Sequence, residues 1–281
     1  LLEKVQQARG LLPLLTERVD GELLDRAPHL RIVANYAVGF DNVDLAACRA
    51  RGVVVTNTPD VLTEATADQA WALLLSAARR VVEGHRLTSS GGFRTWQPGL
   101  LLGRAVHGAT LGIVGTGRIG RAVARRSRGF GMQVLYSDPS RWEEGEKELG
   151  AERVELDELL ARSDFVSLHA PLNAQTRHLV GAAAFSRMKD TAILVNTARG
   201  GLVDERALCE ALVQGRLGGA GLDVFDPEPP DADNPLLGLS QVVLAPHLGS
   251  ATVSAREAMA ALAVDNLLAV LGDRPPLTPV G

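Results

Sequence analysis

The chain has 281 residues and a formal net charge of −4, with 46% apolar and 22% charged residues, 29 glycines and only 4% aromatics. That length suits two domains rather than one, and the composition is that of a globular protein. No basic stripe points to nucleic acid, no polybasic segment points to an anionic membrane, and apolar runs such as Ala72–Leu75 fall far short of a membrane span.

The two cysteines, Cys48 and Cys209, lie far apart and lack metal-ligand or disulfide-framework spacing. Reduced thiols in a cytoplasmic protein are therefore expected, with no metal. The chain opens Leu1-Leu-Glu-Lys-Val without the pattern of a signal peptide. Because it opens on leucine, the expectation is that further residues precede it.

In chain order, strands are expected at Leu11–Leu14, Arg31–Ala34 and Val53–Thr56, and helices at Asp20–Arg26 and Asp44–Arg51. Asn57-Thr-Pro-Asp60 breaks the chain, and the apolar period then predicts one long helix from Thr63 to Glu83. Residues 89–108, with Gly91-Gly92, Pro98, Phe93 and Trp96, read as a long irregular stretch of the kind that reaches a partner. Strands are then expected at Thr110–Val114, Gln133–Ser137, Phe165–Leu168, Ala192–Asn196, Gly219–Leu222 and Val242–Leu244, with helices near 118–129, 156–161, 182–187 and 204–214. A last helix runs from Ala251 to about Leu271. Strands alternating with helices predict an α/β fold with a doubly wound Rossmann-type parallel sheet, plus a smaller α/β domain. The expected division is 1–60 with 252–281 as a substrate domain and 61–251 as a dinucleotide domain carrying the 89–108 dimerisation stretch. The long helices would be the crossings.

Gly115-Thr-Gly-Arg-Ile-Gly120 directly follows a strand and opens a helix. The first glycine permits the tight turn, the second lets backbone approach a pyrophosphate, and the third allows close helix–strand packing. The helix N-terminus supplies unsatisfied N–H groups and positive dipole to the phosphates. A glycine pattern alone is weak, but Asp138 ends the next strand 18 residues beyond Gly120, where a carboxylate accepts from ribose hydroxyls. It also repels a 2′-phosphate, which favours NAD over NADP. Arg141 could offset this by pairing with such a phosphate.

Three polar residues stand at the ends of later strands: Arg199 in Asn196-Thr-Ala-Arg-Gly200, Glu228 in Asp223-Val-Phe-Asp-Pro-Glu-Pro229, and His247 in Ala245-Pro-His-Leu-Gly-Ser250. Ligands of open α/β sheets bind at strand carboxyl ends, so all three can face one crevice. Singly, each has a plain structural alternative. His29, His85, His107, His169 and His178 read as surface or structural groups, and Arg121, Arg125, Arg126 and Arg128 as a solvated helix face.

With these segments in view the chain resembles the D-isomer-specific 2-hydroxyacid dehydrogenase family over nearly its whole length. The resemblance rests on Tyr36–Asp44, Asn57–Thr63, Gly115–Gly120, Asn196–Gly200, Gly221–Phe225 and Pro246–Ser250. Within the family it is towards glyoxylate/hydroxypyruvate reductases, through Tyr36–Asp44, Trp96 and His247–Thr252. The family begins with a further strand and helix, which the smaller, flavodoxin-like domain here lacks.

The resemblance implies that His247 is the general acid, oriented by Glu228, and that Arg199 binds the substrate carboxylate and keto oxygen. Val38 and Gly39 would offer backbone N–H groups to that carboxylate, while Leu15 and Trp96 would line the substrate end. Trp96 would do so in a neighbouring subunit of a homodimer. Gly115, Thr116, Gly117, Arg118, Ile119, Gly120, Asp138, Pro139 and Ser140 would hold the adenosine and pyrophosphate, and Thr197, Ala198, Asp223 and Gly249 the nicotinamide end. NADH is the expected cofactor, with NADP as the alternative, and a small 2-keto acid the expected substrate. Two rivals remain at this point: another member such as a 3-phosphoglycerate dehydrogenase, or a dinucleotide-sensing corepressor without turnover. A formate dehydrogenase would carry an amide where Glu228 stands.

Overall fold

A computed structural model describes residues 3–280. The chain divides into two compact units, with boundaries between Thr63 and Glu64 and between Gly249 and Ser250.

The first unit is built on a three-stranded parallel sheet of β1 (Gly10–Leu11), β2 (Ile32–Ala34) and β3 (Val54–Thr56), in that order. Helices α1 (Gly21–Asp25) and α2 (Leu45–Ala50) connect the strands, each started by an aspartate whose carboxylate accepts from a first-turn N–H. Leu23, Leu24, Val33, Val55 and Cys48 form the core on one side of the sheet. Burial pushes the Cys48 thiol up to about 11, with Asp44 adding to the effect, so it stays protonated and inert. The strand expected over Leu11–Leu14 is only two residues long and starts at Gly10, because Pro13 has no N–H to give a ladder.

The second unit opens with α3 (Thr63–Ala78) and α4 (Val81–Ser89). The single helix expected over Thr63–Glu83 is thus two. The Ala78 carbonyl accepts from Arg104 N at 2.7 Å, and Arg80 takes a left-handed conformation with φ +53°. The acceptor that would continue the helix is used by a residue far along the chain, which local periodicity does not reveal.

The strands β4 (Thr110–Val114), β5 (Gln133–Ser137), β6 (Glu152–Arg153), β7 (Phe165–Leu168), β8 (Ile193–Asn196), β9 (Gly219–Leu222) and β10 (Val242–Leu244) form one parallel sheet. Their order is β10-β9-β8-β7-β4-β5-β6, so chain direction across the sheet reverses between β4 and β7. Helices α5 (Arg118–Arg126), α6 (Glu143–Leu149), α7 (Leu156–Arg162), α8 (Ala182–Phe185) and α9 (Glu205–Val213) lie between strands. Ala67, Trp71 and Leu74 of α3 and Val123 of α5 share one core cluster, and Leu159, Phe185 and Leu208 of α7, α8 and α9 share the other. These are the two covered faces of a doubly wound sheet.

Six strands are expected in this sheet and seven are present. The extra one, β6, is two exposed residues paired to β5, and α6 is a polar turn, Glu-Glu-Gly-Glu-Lys-Glu-Leu. Neither carries an apolar period. What seats α6 is Trp142, fully buried, on whose ring Gly145 lies so closely that a Cβ there would come within 2.4 Å.

The chain ends in α10 (Val253–Leu271), which belongs to the first unit and covers the second face of its sheet through Ala263 and Val270 against Ile32 and Ala34. The arginine face of α5 is less solvated than expected. Arg126 pairs with Glu64 at 2.7 Å and Asp68 at 2.8 Å, Arg125 pairs with Glu144, and Arg121 lies over the Trp142 ring. Arg128 is exposed.

In the middle of β4, a Cβ on Gly112 would meet Ser163 Oγ at 2.3 Å and Leu159 Cδ2 at 2.5 Å. Gly112→Ala is therefore expected to lower unfolding free energy by about 1–3 kcal/mol through overpacking. Urea denaturation measures this, and an unchanged midpoint would mean that α7 is not seated against β4 as described.

Candidate active site

The reversal of strand order at β4 and β7 places the ends of those two strands side by side, the position at which open α/β sheets bind ligands. At the end of β4, Gly115 has φ +92°, and a Cβ there would press on the backbone of His169 and Ala170 at 2.8–2.9 Å. A Cβ on Gly120 would strike the Gly115 carbonyl oxygen at 2.1 Å. One on Gly117 would meet nothing within 4 Å, so this face of the turn is open. Helix α5 starts at Arg118, and no side chain among the described residues caps its Gly117 end. The result is a helix N-terminus without a side-chain cap behind a turn that is open at Gly117, the kind of end at which a pyrophosphate binds.

Asp138 stands just beyond β5. Its Oδ2 accepts from Thr116 N at 2.7 Å and its Oδ1 from Ser140 N at 2.8 Å, so the carboxylate fixes both the glycine turn and its own loop. Each oxygen retains a lone pair for a ribose hydroxyl. Ile119 is half-buried, and Arg118 and Pro139 are exposed around the turn.

After β8, Asn196 arranges the next three residues. Its Oδ1 accepts from Ala198 N at 3.0 Å and its Nδ2 donates to the Arg199 carbonyl at 2.8 Å. Arg199 is half-buried and donates from Nη1 to the Ala198 carbonyl. Beside it, Gly200 lies against the Phe225 backbone, where a Cβ would come within 2.0 Å. This seats the Arg199 loop on the loop after β9. Thr197 is 7% exposed, and its Oγ1 is buried without a hydrogen-bond partner among the described residues. An orphaned hydroxyl at the expected nicotinamide end fits a polar ligand group.

Asp223 ends β9 and is fully buried. Oδ1 accepts from Leu248 N and Oδ2 from Gly249 N, both at 2.7 Å, while its carbonyl accepts from His247 N at 2.8 Å. Burial raises its pKa more than these bonds lower it. Asp223 thus staples the loop that carries His247, a residue with φ +55°. Gly249 packs near Thr66 and Asp223, where larger residues would crowd.

His247 Nδ1 lies 2.5 Å from Glu228 Oε1, and Glu228 Oε2 accepts from Phe225 N at 3.2 Å. Burial works to raise the Glu228 carboxyl. The hydrogen bond and charge of His247, the Phe225 N–H and the Arg199 charge outweigh it, so the pKa is lowered. His247 and the charge of Arg199 therefore both act on the Glu228 carboxyl. With Nδ1 held by a carboxylate, Nε2 is the nitrogen left to exchange a proton with a ligand.

The other expected positions lie elsewhere. Leu15, Val38 and Gly39 are in the first unit. There the Ala37 carbonyl accepts from Thr58 N, the Val38 carbonyl from Asn57 Nδ2 and the Gly39 carbonyl from Asn35 Nδ2. Because N–H and C=O are anti across each planar peptide, the Val38 and Gly39 N–H groups point away from these anchors. Trp96 is 75% exposed in the stretch after α4. His29, His85, His107 and His178 are exposed. His169 is not a surface group: its Nε2 lies 2.8 Å from Ser167 Oγ, and burial lowers its pKa to about 3, which keeps it neutral. Sequence reasoning assigned no role to Asn196 and read His169 only as a surface or structural group. A polar residue directly ending an apolar strand is the signal that could have found both.

Residues 71–249 match the model of the D-isomer specific 2-hydroxyacid dehydrogenase, NAD binding domain. A glyoxylate reductase of Korarchaeum cryptofilum is 54% identical over 278 residues, 98% of this chain and 84% of that one. The chain belongs to the D-isomer specific 2-hydroxyacid dehydrogenase family. A protein of Thermus thermophilus superposes with a TM-score of 0.94 at 51% identity, covering 100% of this chain and 88% of that one. An NADPH-dependent glyoxylate/hydroxypyruvate reductase of Sinorhizobium meliloti, in complex with NADP and malonate, superposes with a TM-score of 0.90 at 38% identity, covering 99% and 85%. The family carries the resemblance read from the motifs. The chain is an oxidoreductase of this family that uses a nicotinamide dinucleotide. No helix among the described residues is long and apolar enough to cross a membrane, and no group of His, Cys, Asp or Glu among them could hold a metal ion.

Gly120→Ala would force α5 away from the Gly115 carbonyl. With overpacking worth about 1–3 kcal/mol, NADH affinity is expected to fall by about five- to 150-fold. Fluorescence titration with NADH measures it, and wild-type affinity would remove the turn from the binding site.

Proposed function

We propose that the chain reduces glyoxylate or hydroxypyruvate to the D-2-hydroxy acid, with NADH as the preferred cofactor and His247 as the general acid. The observation that carries this reading is the 2.5 Å His247–Glu228 contact beside the charge of Arg199. Bound dihydronicotinamide supplies the hydride to the carbonyl carbon. His247 gives its Nε2 proton to the carbonyl oxygen, so that a C–H and an O–H bond form while the C=O π bond breaks. Glu228 holds the imidazole in place through its hydrogen bond to Nδ1. Arg199 takes the substrate carboxylate and stabilises the developing negative oxygen. Val38 and Gly39 serve the same carboxylate through their N–H groups, and Leu15 lines the substrate end. A relative that binds malonate, a dicarboxylate, supports a carboxylate-accepting site in this fold.

Thr116 to Gly120, Asp138, Pro139 and Ser140 hold the adenosine and pyrophosphate. Thr197, Ala198, Asp223 and Gly249 receive the nicotinamide end, for which the orphaned Thr197 hydroxyl is the support. Asp138 favours an unphosphorylated ribose. In domain terms, 61–251 is the nucleotide domain, and 1–60 with 252–281 handles the substrate. The protein is read as a cytoplasmic homodimer. Free Cys48 and Cys209 support the compartment, and the exposed Phe93, Trp96 and Leu102 support a partner arm.

Steady-state assays with glyoxylate, hydroxypyruvate and pyruvate test the reading with both cofactors. Consumption of neither NADH nor NADPH would favour a dinucleotide-sensing module instead. His247→Ala is expected to lower kcat about 10²–10⁴-fold, as positioned acid catalysis contributes that much, and near-normal turnover would remove His247 from the mechanism. Asp138→Ala is expected to weaken NADH more than NADPH. Equal losses would undo the preference.

A further inference from the structure

The residue that should read a 2′-phosphate is Arg141, three positions beyond Asp138, because an arginine near this strand end is what accommodates that group in Rossmann sites. In the structure Arg141 is engaged elsewhere. Its Nε lies 3.1 and 3.0 Å from the two oxygens of Glu146, and its Nη2 lies 2.6 Å from Oε2. The pair is a planar fork on a carboxylate, the geometry in which arginine binds most specifically.

The partner is itself anchored. Tyr136, fully buried at the end of β5, donates its hydroxyl to Glu146 Oε1 at 2.6 Å and accepts from Trp142 N at 3.0 Å. Trp142 is buried in the core. The carboxylate is therefore indexed to the sheet interior, unlike an ordinary surface pair of two flexible side chains. Arg141, Tyr136 and burial set its proton affinity, with the Arg141 bond the largest influence, and its pKa is lowered to about 2. It stays charged across the physiological range.

We infer that Glu146 is a nucleotide-selectivity residue: by clamping Arg141 it withholds the guanidinium from a 2′-phosphate. NADP binding then has to break the fork or do without it, while NAD binding, which needs only Asp138, is untouched. Selectivity against the phosphate is in this way shared between repulsion by Asp138 and sequestration of Arg141, while Arg153, the other arginine at this loop, is engaged by the Asp138 and Pro139 carbonyls at 2.9 Å. The inference rests on the proposed placement of the adenosine ribose at Asp138.

Its test is the affinity of the purified protein for NADH and NADPH, read by fluorescence titration without any substrate. Glu146→Gln keeps the shape and removes the charge. With the guanidinium released, NADPH should bind about three- to five-fold more tightly, with NADH unchanged within about two-fold. Removing a negative charge near a phosphate could by itself favour NADPH, so the double variant Glu146→Gln/Arg141→Ala is the deciding one. The gain should vanish there. A gain that persists without Arg141, or equal changes for both nucleotides, would overturn the inference. Tyr136→Phe, which loosens the carboxylate without removing it, should shift the ratio in the same direction by a smaller factor. It decides the matter if Glu146→Gln fails to fold. Binding of neither nucleotide by the wild type would overturn the nucleotide reading and this inference with it. Wild-type binding of NADH with an unmoved ratio in every variant would overturn this inference alone.

Discussion

The parallel pairing of β4 with β7 is the contact on which the second unit turns. From β4 the chain proceeds to one side through β5 and β6, and returns to lay β7, β8, β9 and β10 on the other. Two strand ends that lead their loops in opposite directions leave a gap above the sheet, and that gap is where backbone donors can converge without a covering helix. The gap has a strict demand: the turn after β4 must lie directly against the backbone after β7. Gly115 meets it, since any Cβ there would collide with His169 and Ala170. Each later strand then delivers one polar residue to the same end of the sheet.

Buried polar groups, more than the reacting residues, hold that arrangement. Asn196 fixes the Arg199 loop through two bonds, and Asp223 fixes the His247 loop through three. Buried amides and carboxylates left unpaired would cost about 1–3 kcal/mol each, so these loops have little freedom to adopt another geometry. The side chains of Arg199, Glu228 and His247 are thereby positioned by neighbours at the strand ends, while their own tips stay partly exposed. Asp223 shows how one residue can be assigned two roles: a staple by its observed bonds, and a nicotinamide neighbour by the family's pattern.

Much of this was legible in the chain because the signals are local. The glycine turn, Asp138 and the three strand-end residues each follow an apolar run of strand length, and a strand end is where an α/β sheet presents its chemistry. What could not be read depends on partners distant in sequence. The break between α3 and α4 exists because Arg104 takes the Ala78 carbonyl, 26 positions away. The helix α6 has no apolar stripe and is seated by a tryptophan preceding it. The packing of His169 against Gly115 and Gly120 depends on the meeting of β4 and β7, which no single-residue pattern announces.

The same distinction bears on cofactor choice. Read along the chain, Asp138 and Arg141 oppose each other, one repelling a 2′-phosphate and the other able to pair with it. On the proposed reading a third residue decides the contest, which is why the chain alone leaves it open. Glu146 lies on the far side of Trp142, and its carboxylate is held by a tyrosine inside the sheet. An arginine whose fork is filled is no longer the arginine that a motif assigns to a phosphate. The chemistry of a loop is thus set by which of its charges are already engaged, and here Glu146, anchored by Tyr136, engages the cation, which on the proposed placement leaves Asp138 to meet the ribose.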